Sequence, residues 1–528
     1  MASLLSLLAS IPYFPNPHFM ALAPLDVWAR LLFFPPAKIP VRYWPRLLFA
    51  LATSALATAL TLPERLLLAL WFHWKSRSSR QIGSPLFVLG YYRSGTTHLQ
   101  NLLNLDPGLF SPKWVHTLAP QGFIFSWTFL RYFLIPFLPA TRRIDALDIN
   151  PDLPSEDDFA LNNWALASAL PAWLLPRARQ HFERFHDLRT LTLGEQDRWC
   201  HYQLAFLRKL SFICGGRRLL LKSPVHTARV EIFLQMFPEA KFVHISREPR
   251  EVVRSNIRLV MMMQQLFGFQ APPPQQKTEE EIVHRYSATE QRYLEARHKI
   301  PKGQLAEVRL QDLLADPLGE IKRLYGELDL RFTEAFERQM LAYLRNQTGY
   351  APNIHPTWTE DQERRLAPSI SGLVESFHQD RPATPAVALP KPHPGTDRIG
   401  RRKRKLAVLA GLATAIASAT AWLLIVHLTA NRHTWIVWPV GIAIGCSILR
   451  VARCGSWRLG LWSLLLTLLV FCADLLFSLR TIQFATYAHV PLAALSHGAI
   501  ESIKLDARLF WFLMGLMTAY RLGSRPFS

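Results

Sequence analysis

The sequence predicts an α/β domain built on a doubly wound parallel sheet flanked by helices, followed by an all-α transmembrane domain. Short apolar runs ending at Leu89, Leu221 and Ser246 alternate with stretches of helical periodicity, the pattern of parallel strands joined by crossover helices. The first run, Leu86–Leu89, breaks into the turn Gly90-Tyr91-Tyr92-Arg93-Ser94-Gly95-Thr96-Thr97, and an apolar face at Leu99, Leu102, Leu103 and Leu105 follows at helical spacing. After a proline-rich stretch the composition changes. Leu406–Leu428 then runs 23 residues without Asp, Glu, Lys or Arg, about 34 Å as a helix and enough for a bilayer.

Residues 1–82 form a hydrophobic, helical region. Residues 1–42 are rich in proline and aromatics and lack the basic start of a signal peptide. Leu47–Pro63 is uncharged between Arg46 and Glu64, and Leu66–Phe72 is apolar again. That length fits either one membrane span or a buried or interfacial helix pair. Lys75–Gln81 is a basic connector into the α/β domain, assigned to residues 83–378. The segment 379–397 holds five prolines and no apolar periodicity, so it reads as a linker. Residues 398–528 read as a membrane domain of about three to four spans. Arg398 and Arg401–Lys405 precede Leu406–Leu428, and Thr434–Leu449, Leu459–Leu479 (with Asp474) and the shorter Leu509–Tyr520 follow. Basic residues before the first of these and at Arg450, Arg453 and Arg458 place both loops, and the α/β domain tethered to them, in the cytoplasm.

Lys and Arg number 60 against 39 Asp and Glu, a net charge of +21. With no zinc spacing and no recognition-helix signature, nucleic acid is excluded as the partner. An anionic ligand and an anionic membrane surface account for the charge instead. Five cysteines without a CxxC pair argue against a disulfide framework or a metal site, and fit a reducing compartment.

Strand, glycine turn and helix start together form a phosphate cradle with P-loop spacing. A nucleotide hydrolase carries lysine where this chain has Thr96, and here the cation is Arg93, three residues earlier. Such a loop suits a 5′-phosphate whose partner group is not a γ-phosphate. Downstream, the strand Lys241–Ser246 runs into Arg247-Glu248-Pro249-Arg250-Glu251-Val252-Val253-Arg254-Ser255, with Pro249 in a first helical turn. Arg247 and Ser255 can meet one phosphate only if that helix packs back across the loop.

These elements, in this order, resemble the sulfotransferase family that uses 3′-phosphoadenosine-5′-phosphosulfate (PAPS). Leu219-Leu220-Leu221-Lys222-Ser223-Pro224 is similar to the strand end of its bacterial and carbohydrate-type branch. Val308–Pro317 with the amphipathic helix through Tyr325 resembles that branch's late strand–helix unit. The resemblance runs roughly from Pro85 to Phe377. It implies that Arg93, Ser94, Gly95, Thr96 and Thr97 hold the 5′-phosphosulfate and that Arg247 with Ser255 holds the 3′-phosphate. It further implies that Arg93 and Lys222 stabilise charge, with PAPS as donor and no metal. The histidine of the cytosolic branch is absent, since its position holds Pro224. The run Ser155-Glu156-Asp157-Asp158 supplies the acidic candidates for a base: Glu156 first and Asp157 second, with Ser155 as a helix N-cap and the acids as dipole partners the competing reading. His226 and His98 are outsiders. The acceptor is not identified, and the membrane segments suggest a lipid or membrane-associated hydroxyl compound. A P-loop kinase or hydrolase, and a catalytically degenerate nucleotide-binding scaffold, stand as alternatives.

Overall fold

The computed structural model describes residues 19–34, 37–75, 82–127, 152–346, 358–373, 401–429, 437–452, 459, 461–470 and 516. The linker 379–397, Asp474 and the stretch 509–520 apart from Leu516 lie outside them. The chain divides into two compact units, residues 1–127 with 141–393, and residues 128–140 with 394–528.

In the first unit five parallel strands, β1 (Leu86–Leu89), β2 (Leu109–Phe110), β3 (Arg218–Lys222), β4 (Lys241–Ser246) and β5 (Leu305–Arg309), stand in the order β2-β3-β1-β4-β5. Leu86 pairs with Leu220 on one side and Lys241 on the other, and Ser246 pairs with Arg309. β1 reads LFVL and is buried throughout, as a central strand covered on both faces must be. Leu86 and Val88 join Leu99, Val243, Ile245 and Leu324 in one core, whereas Phe87 turns the other way onto Phe233 and Phe242. Because β1 lies between β3 and β4, the chain winds away from it in both directions. The carboxyl ends of all three therefore open on one crevice, where ligands bind in such sheets.

The helices used below are α1 (Leu25–Phe33), α2 (Trp44–Lys75), α3 (Thr96–Leu103), α4 (Asp158–Ala165), α5 (Leu193–Ile213), α6 (Pro249–Phe267), α7 (Gln275–Arg297), α8 (Arg401–Thr429) and α9 (Val437–Ala452). The two apolar runs at 47–63 and 66–72 belong to one helix, α2, which carries Pro63 inside it. Arg46 and Glu64, the charges that bound the first run, are both buried. Arg46 donates to the carbonyls of Gln265 and Gly268, and Glu64 accepts the backbone N–H groups of Ile124, Phe125 and Ser126. Lys209 of α5 faces Glu64 at 3.6 Å, and burial pulls its ammonium down to about 8 against the attraction of that carboxylate. α2 is thus fastened to the α/β unit near its start, at Arg46, and again at Glu64.

In the second unit α8 packs against α9 through a stripe of small residues. A Cβ on Gly411 would lie 2.6 Å from Ile448, buried Ala407 and Ala415 stand one turn to either side, and Thr414 Oγ1 reaches Ser447 Oγ at 2.8 Å. Among the described residues one stretch, Val41–Leu68, is long and apolar enough to cross a membrane, while Leu406–Ala421 and Leu461–Val470 are shorter apolar helices. The multi-span domain expected for 398–528 is therefore represented here by helices that do not by themselves show it.

Candidate active site

Steric demand explains both glycines of the turn. Gly90 lies at φ +133°, where a Cβ would stand 2.5 Å from the carbonyl oxygen of Ile245 at the end of β4. Gly95 lies at φ +102°, where a Cβ would meet the Leu310 side chain at 2.6 Å. Between them Arg93 adopts a left-handed φ of 70°, which a residue with a side chain keeps only where its surroundings hold it. The Gly90 N–H donates to Thr227 Oγ1 at 2.7 Å, and Ser94 Oγ donates to the Tyr91 carbonyl at 2.6 Å. Gly95 leads into α3, whose first-turn N–H groups have no partners within the helix and favour an anion.

Arg93, Arg247 and Ser255 come together. Arg93 Nε donates to Ser255 Oγ at 2.9 Å, and Arg247 Nη1 donates to the Arg93 carbonyl at 3.2 Å. Asn256 Nδ2 adds a bond to the Tyr92 carbonyl at 2.7 Å. α6 therefore packs back across the loop, the condition under which its serine and the strand-end arginine face the same space. Glu248 accepts the N–H groups of Arg250 and Glu251 as the N-cap of α6, with Pro249 at its first position, and Glu251 pairs with Arg247 at 2.8 Å.

Lys222, Glu156 and Thr97 make the second group. Lys222 is buried at the end of β3, and its Nζ lies 2.7 Å from Glu156 Oε1 and 3.3 Å from Thr97 Oγ1. A lysine left at the surface of a strand end is ruled out. The acid run is organised by the segment after β3: Glu156 meets Lys222, Asp157 meets His226 at 2.9 Å, and Asp158 meets Arg229 at 2.8 Å. Side-chain exposure separates the three acids, at 19% for Glu156, 0% for Asp157 and 2% for Asp158. Burial pushes the Asp157 carboxyl up, but the His226 contact and hydrogen bonds from His226 and Gln203 outweigh it and hold it below the usual range.

Two expectations are corrected here. Asp157 is sealed in its pair with His226 and does not reach the crevice. Ser155 is not an N-cap: α4 starts at Asp158 with Asp157 at the cap position and no side-chain cap bond, and Ser155 Oγ bonds Thr117 Oγ1 instead. His98 is half-buried, its Nε2 is enclosed without a hydrogen bond among the described residues, and burial lowers its pKa. Sequence reasoning missed Thr227 and Arg229, and the pairing of Asp158 with the latter. The available signal was the spacing of Lys222, His226 and Arg229, three basic side chains four and three residues apart behind a run of three acids.

Beside the acids lies an aromatic wall. Tyr92 packs on Trp173 at 5.1 Å, and Phe159 on Trp114 at 5.2 Å. Burial, then the charges of Glu156 and Asp158, hold the Tyr92 phenol well above its ordinary range, so it remains protonated. Among the described residues no group of three or more His, Cys, Asp or Glu stands ready to hold a metal ion.

Residues 85–334 match the model described as the Sulfotransferase family. Two curated relatives carry the name omega-hydroxy-beta-dihydromenaquinone-9 sulfotransferase Stf3, from Mycobacterium bovis and Mycobacterium tuberculosis. Each is 28% identical over 312 residues, covering 59% of this chain and 79% of the relative. Among solved structures, the sulfotransferase STF9 from Mycobacterium avium superposes with a TM-score of 0.51 at 19% identity, over 68% of this chain and 97% of that one. At that identity the likeness to STF9 shows the fold alone.

Proposed function

We propose, from the match of residues 85–334 to the Sulfotransferase family and the likeness to the Stf3 relatives, that this enzyme takes a sulfuryl group from PAPS and passes it to a hydroxyl or amine of a lipid- or membrane-associated acceptor. The observation that carries the donor assignment is the bonded cluster Arg93–Ser255–Arg247 beside the glycine turn. PAPS has two separate anionic ends, and the crevice offers two anion-binding groups of different construction. The loop from Ser94 to Thr97 would hold the 5′-phosphosulfate through N–H and hydroxyl donors. Arg247 and Ser255 would hold the 3′-phosphate. Arg93, reaching from the loop to Ser255, ties the two groups together.

The donor supplies an activated sulfuryl group, and the chain supplies positioning and charge. Glu156 would take the proton of the acceptor hydroxyl as its oxygen bonds sulfur and the bond from sulfur to the phosphate oxygen breaks. Lys222, next to Thr97, would stabilise the charge gathering on that leaving oxygen. The aromatic wall of Tyr92, Trp173 and Phe159 favours an apolar acceptor carrying a hydroxyl, the kind of compound named for the Stf3 relatives. On this reading the C-terminal helices keep the enzyme at the bilayer, with the α/β unit on the side of the basic flanks.

The donor is tested by titrating detergent-solubilised protein with 3′-phosphoadenosine-5′-phosphate, AMP and ATP, with Arg247→Ala alongside. The bisphosphate should bind in preference. Arg247→Ala should weaken it by about 10- to 150-fold, the range for a lost charge-assisted hydrogen bond, while AMP binding stays nearly constant. Tighter binding of ATP would return the weight to a kinase. The acceptor is tested by supplying labelled PAPS with membrane lipid extract or with soluble sugars. Label is expected in the lipid fraction, and transfer to sugars with inert lipid would discard the lipid reading.

A further inference from the structure

Helix α2 is built inside out. Its buried positions recur at Leu47, Ala50, Ser54, Ala57, Thr61 and Glu64, a helical stripe along one side. That stripe carries polar groups bonded into the protein: Ser54 Oγ to the Ala23 carbonyl of the N-terminal layer, Glu64 to the N–H groups after Phe123, and neighbouring Arg46 to the end of α6. The opposite side, which faces outward, is apolar from Trp44 to Leu66. Trp44, Leu48, Ala55, Leu62 and Leu66 lie along it without a charged or hydroxyl side chain, and Leu48 is 60% exposed. A water-facing helix has the reverse arrangement.

The apolar surface widens sideways onto α1, where Phe33 is 86% exposed. Near the other end Phe125 stands 55% exposed on the segment that Glu64 grips. Exposed Lys38 and Arg42 lie in the same N-terminal layer, with exposed Arg30 and half-buried Arg65, which both pair with Asp26. From Trp44 to Leu66 the strip is about 33 Å long, beyond the scattered apolar exposure of a water-soluble surface. The basic side chains of that layer complement anionic headgroups.

We propose that this face binds a lipid bilayer, with α2 lying in the membrane plane rather than crossing it. Crossing is excluded by the attachments of α2. A helix fastened to the α/β unit at Arg46 and Glu64 would draw that unit and its sheet into hydrocarbon. An in-plane helix sinks its apolar side into the boundary between headgroups and acyl chains and keeps its polar side on the protein. The same N-terminal layer touches the helix that follows Glu156: Phe19 packs edge-on against Phe159 at 5.4 Å, and Asn163 Nδ2 bonds the Phe19 carbonyl at 2.9 Å. The N-terminal layer that carries the apolar face thus packs directly on the helix beside Glu156, which suits an acceptor drawn from the lipid phase. The orientation of α2 rests on its own contacts and is independent of the proposed donor.

The test places a nitroxide label at each of Leu48→Cys, Ala55→Cys and Leu62→Cys, one at a time, in full-length protein whose native cysteines have been replaced. The protein is reconstituted with vesicles of phosphatidylcholine and phosphatidylglycerol. Collision with oxygen and with a water-soluble nickel chelate then reports depth at each site, without reference to activity. In-plane binding predicts high oxygen and low nickel accessibility at all three sites, at one common shallow depth. Depths passing from shallow through the bilayer centre along the helix would mean a span and overturn the proposal. Nickel accessibility at all three sites would mean a water-facing strip. Protection from both reagents would mean cover by protein, whether another part of this chain or a second copy, and would equally refute it.

Discussion

Glu156→Gln is expected to lower kcat by about a hundred- to ten-thousand-fold, the usual contribution of a positioned general base, while 3′-phosphoadenosine-5′-phosphate still binds within about tenfold of the parent protein. The amide keeps the shape of the carboxylate and can still accept from Lys222 through its oxygen, so the contact at 2.7 Å has a replacement. What it loses is the ability to take a proton. Exposure makes Glu156 the choice among the three acids: Asp157 is sealed against His226 and Asp158 in an ion pair with Arg229, whereas Glu156 keeps part of its side chain exposed. Steady-state turnover together with nucleotide titration checks the expectation. Unchanged kcat would remove Glu156 as the base and leave the donor site standing. Equal loss of turnover and nucleotide binding would make it part of the binding machinery.

Those features of the site that depend on neighbours in the chain were legible from the sequence. β1, the turn and α3 follow from four apolar residues, two glycines and an apolar face within 20 residues, and each choice agrees with the next. The strand-end arginine and Pro249 in a first helical turn were readable for the same reason. What stayed hidden depends on distant partners. The carbonyl that forbids a side chain at Gly90 belongs to Ile245, on the adjacent strand. The run Ser155–Asp158 looks like a helix start because Ser and Asp favour that position, yet its acids answer to Lys222, His226 and Arg229, between 66 and 71 residues downstream. Arg46 and Glu64 look like the ends of an apolar run. They are buried anchors instead, and Arg46 reaches a carbonyl 222 residues away. Hydropathy measures how apolar α2 is and is blind to which side faces the protein.

Asp158→Ala should destabilise the α/β unit by about 3–5 kcal/mol, the cost of leaving one member of a buried ion pair without its partner, and lower Tm by roughly 5–15 °C. Arg229 is fully buried, with its guanidinium 2.8 Å from Asp158 and 5.0 Å above the Trp199 ring. It keeps hydrogen bonds to the Phe185 and His186 carbonyls, but these neutral acceptors do not replace the charge. Asp158 also accepts from Ser168, so the truncation orphans a hydroxyl as well. The Asp157 and Asp158 pairs set the register of the acid run against the segment after β3, and that register brings Glu156 to Lys222. Stability and turnover should therefore separate in a second variant. Asp158→Leu combined with Arg229→Met removes both charges and should recover much of the lost Tm, because an apolar pair of similar volume carries no desolvation cost. It should recover kcat only in part, since the contact of Asp157 with His226 is then left to hold Glu156 in register without the second pair. Thermal unfolding and turnover measured on the same preparations decide the matter. Recovery of both would make the pair a packing element alone, and an Asp158→Ala protein as stable as its parent would show that the acid run is held by other contacts.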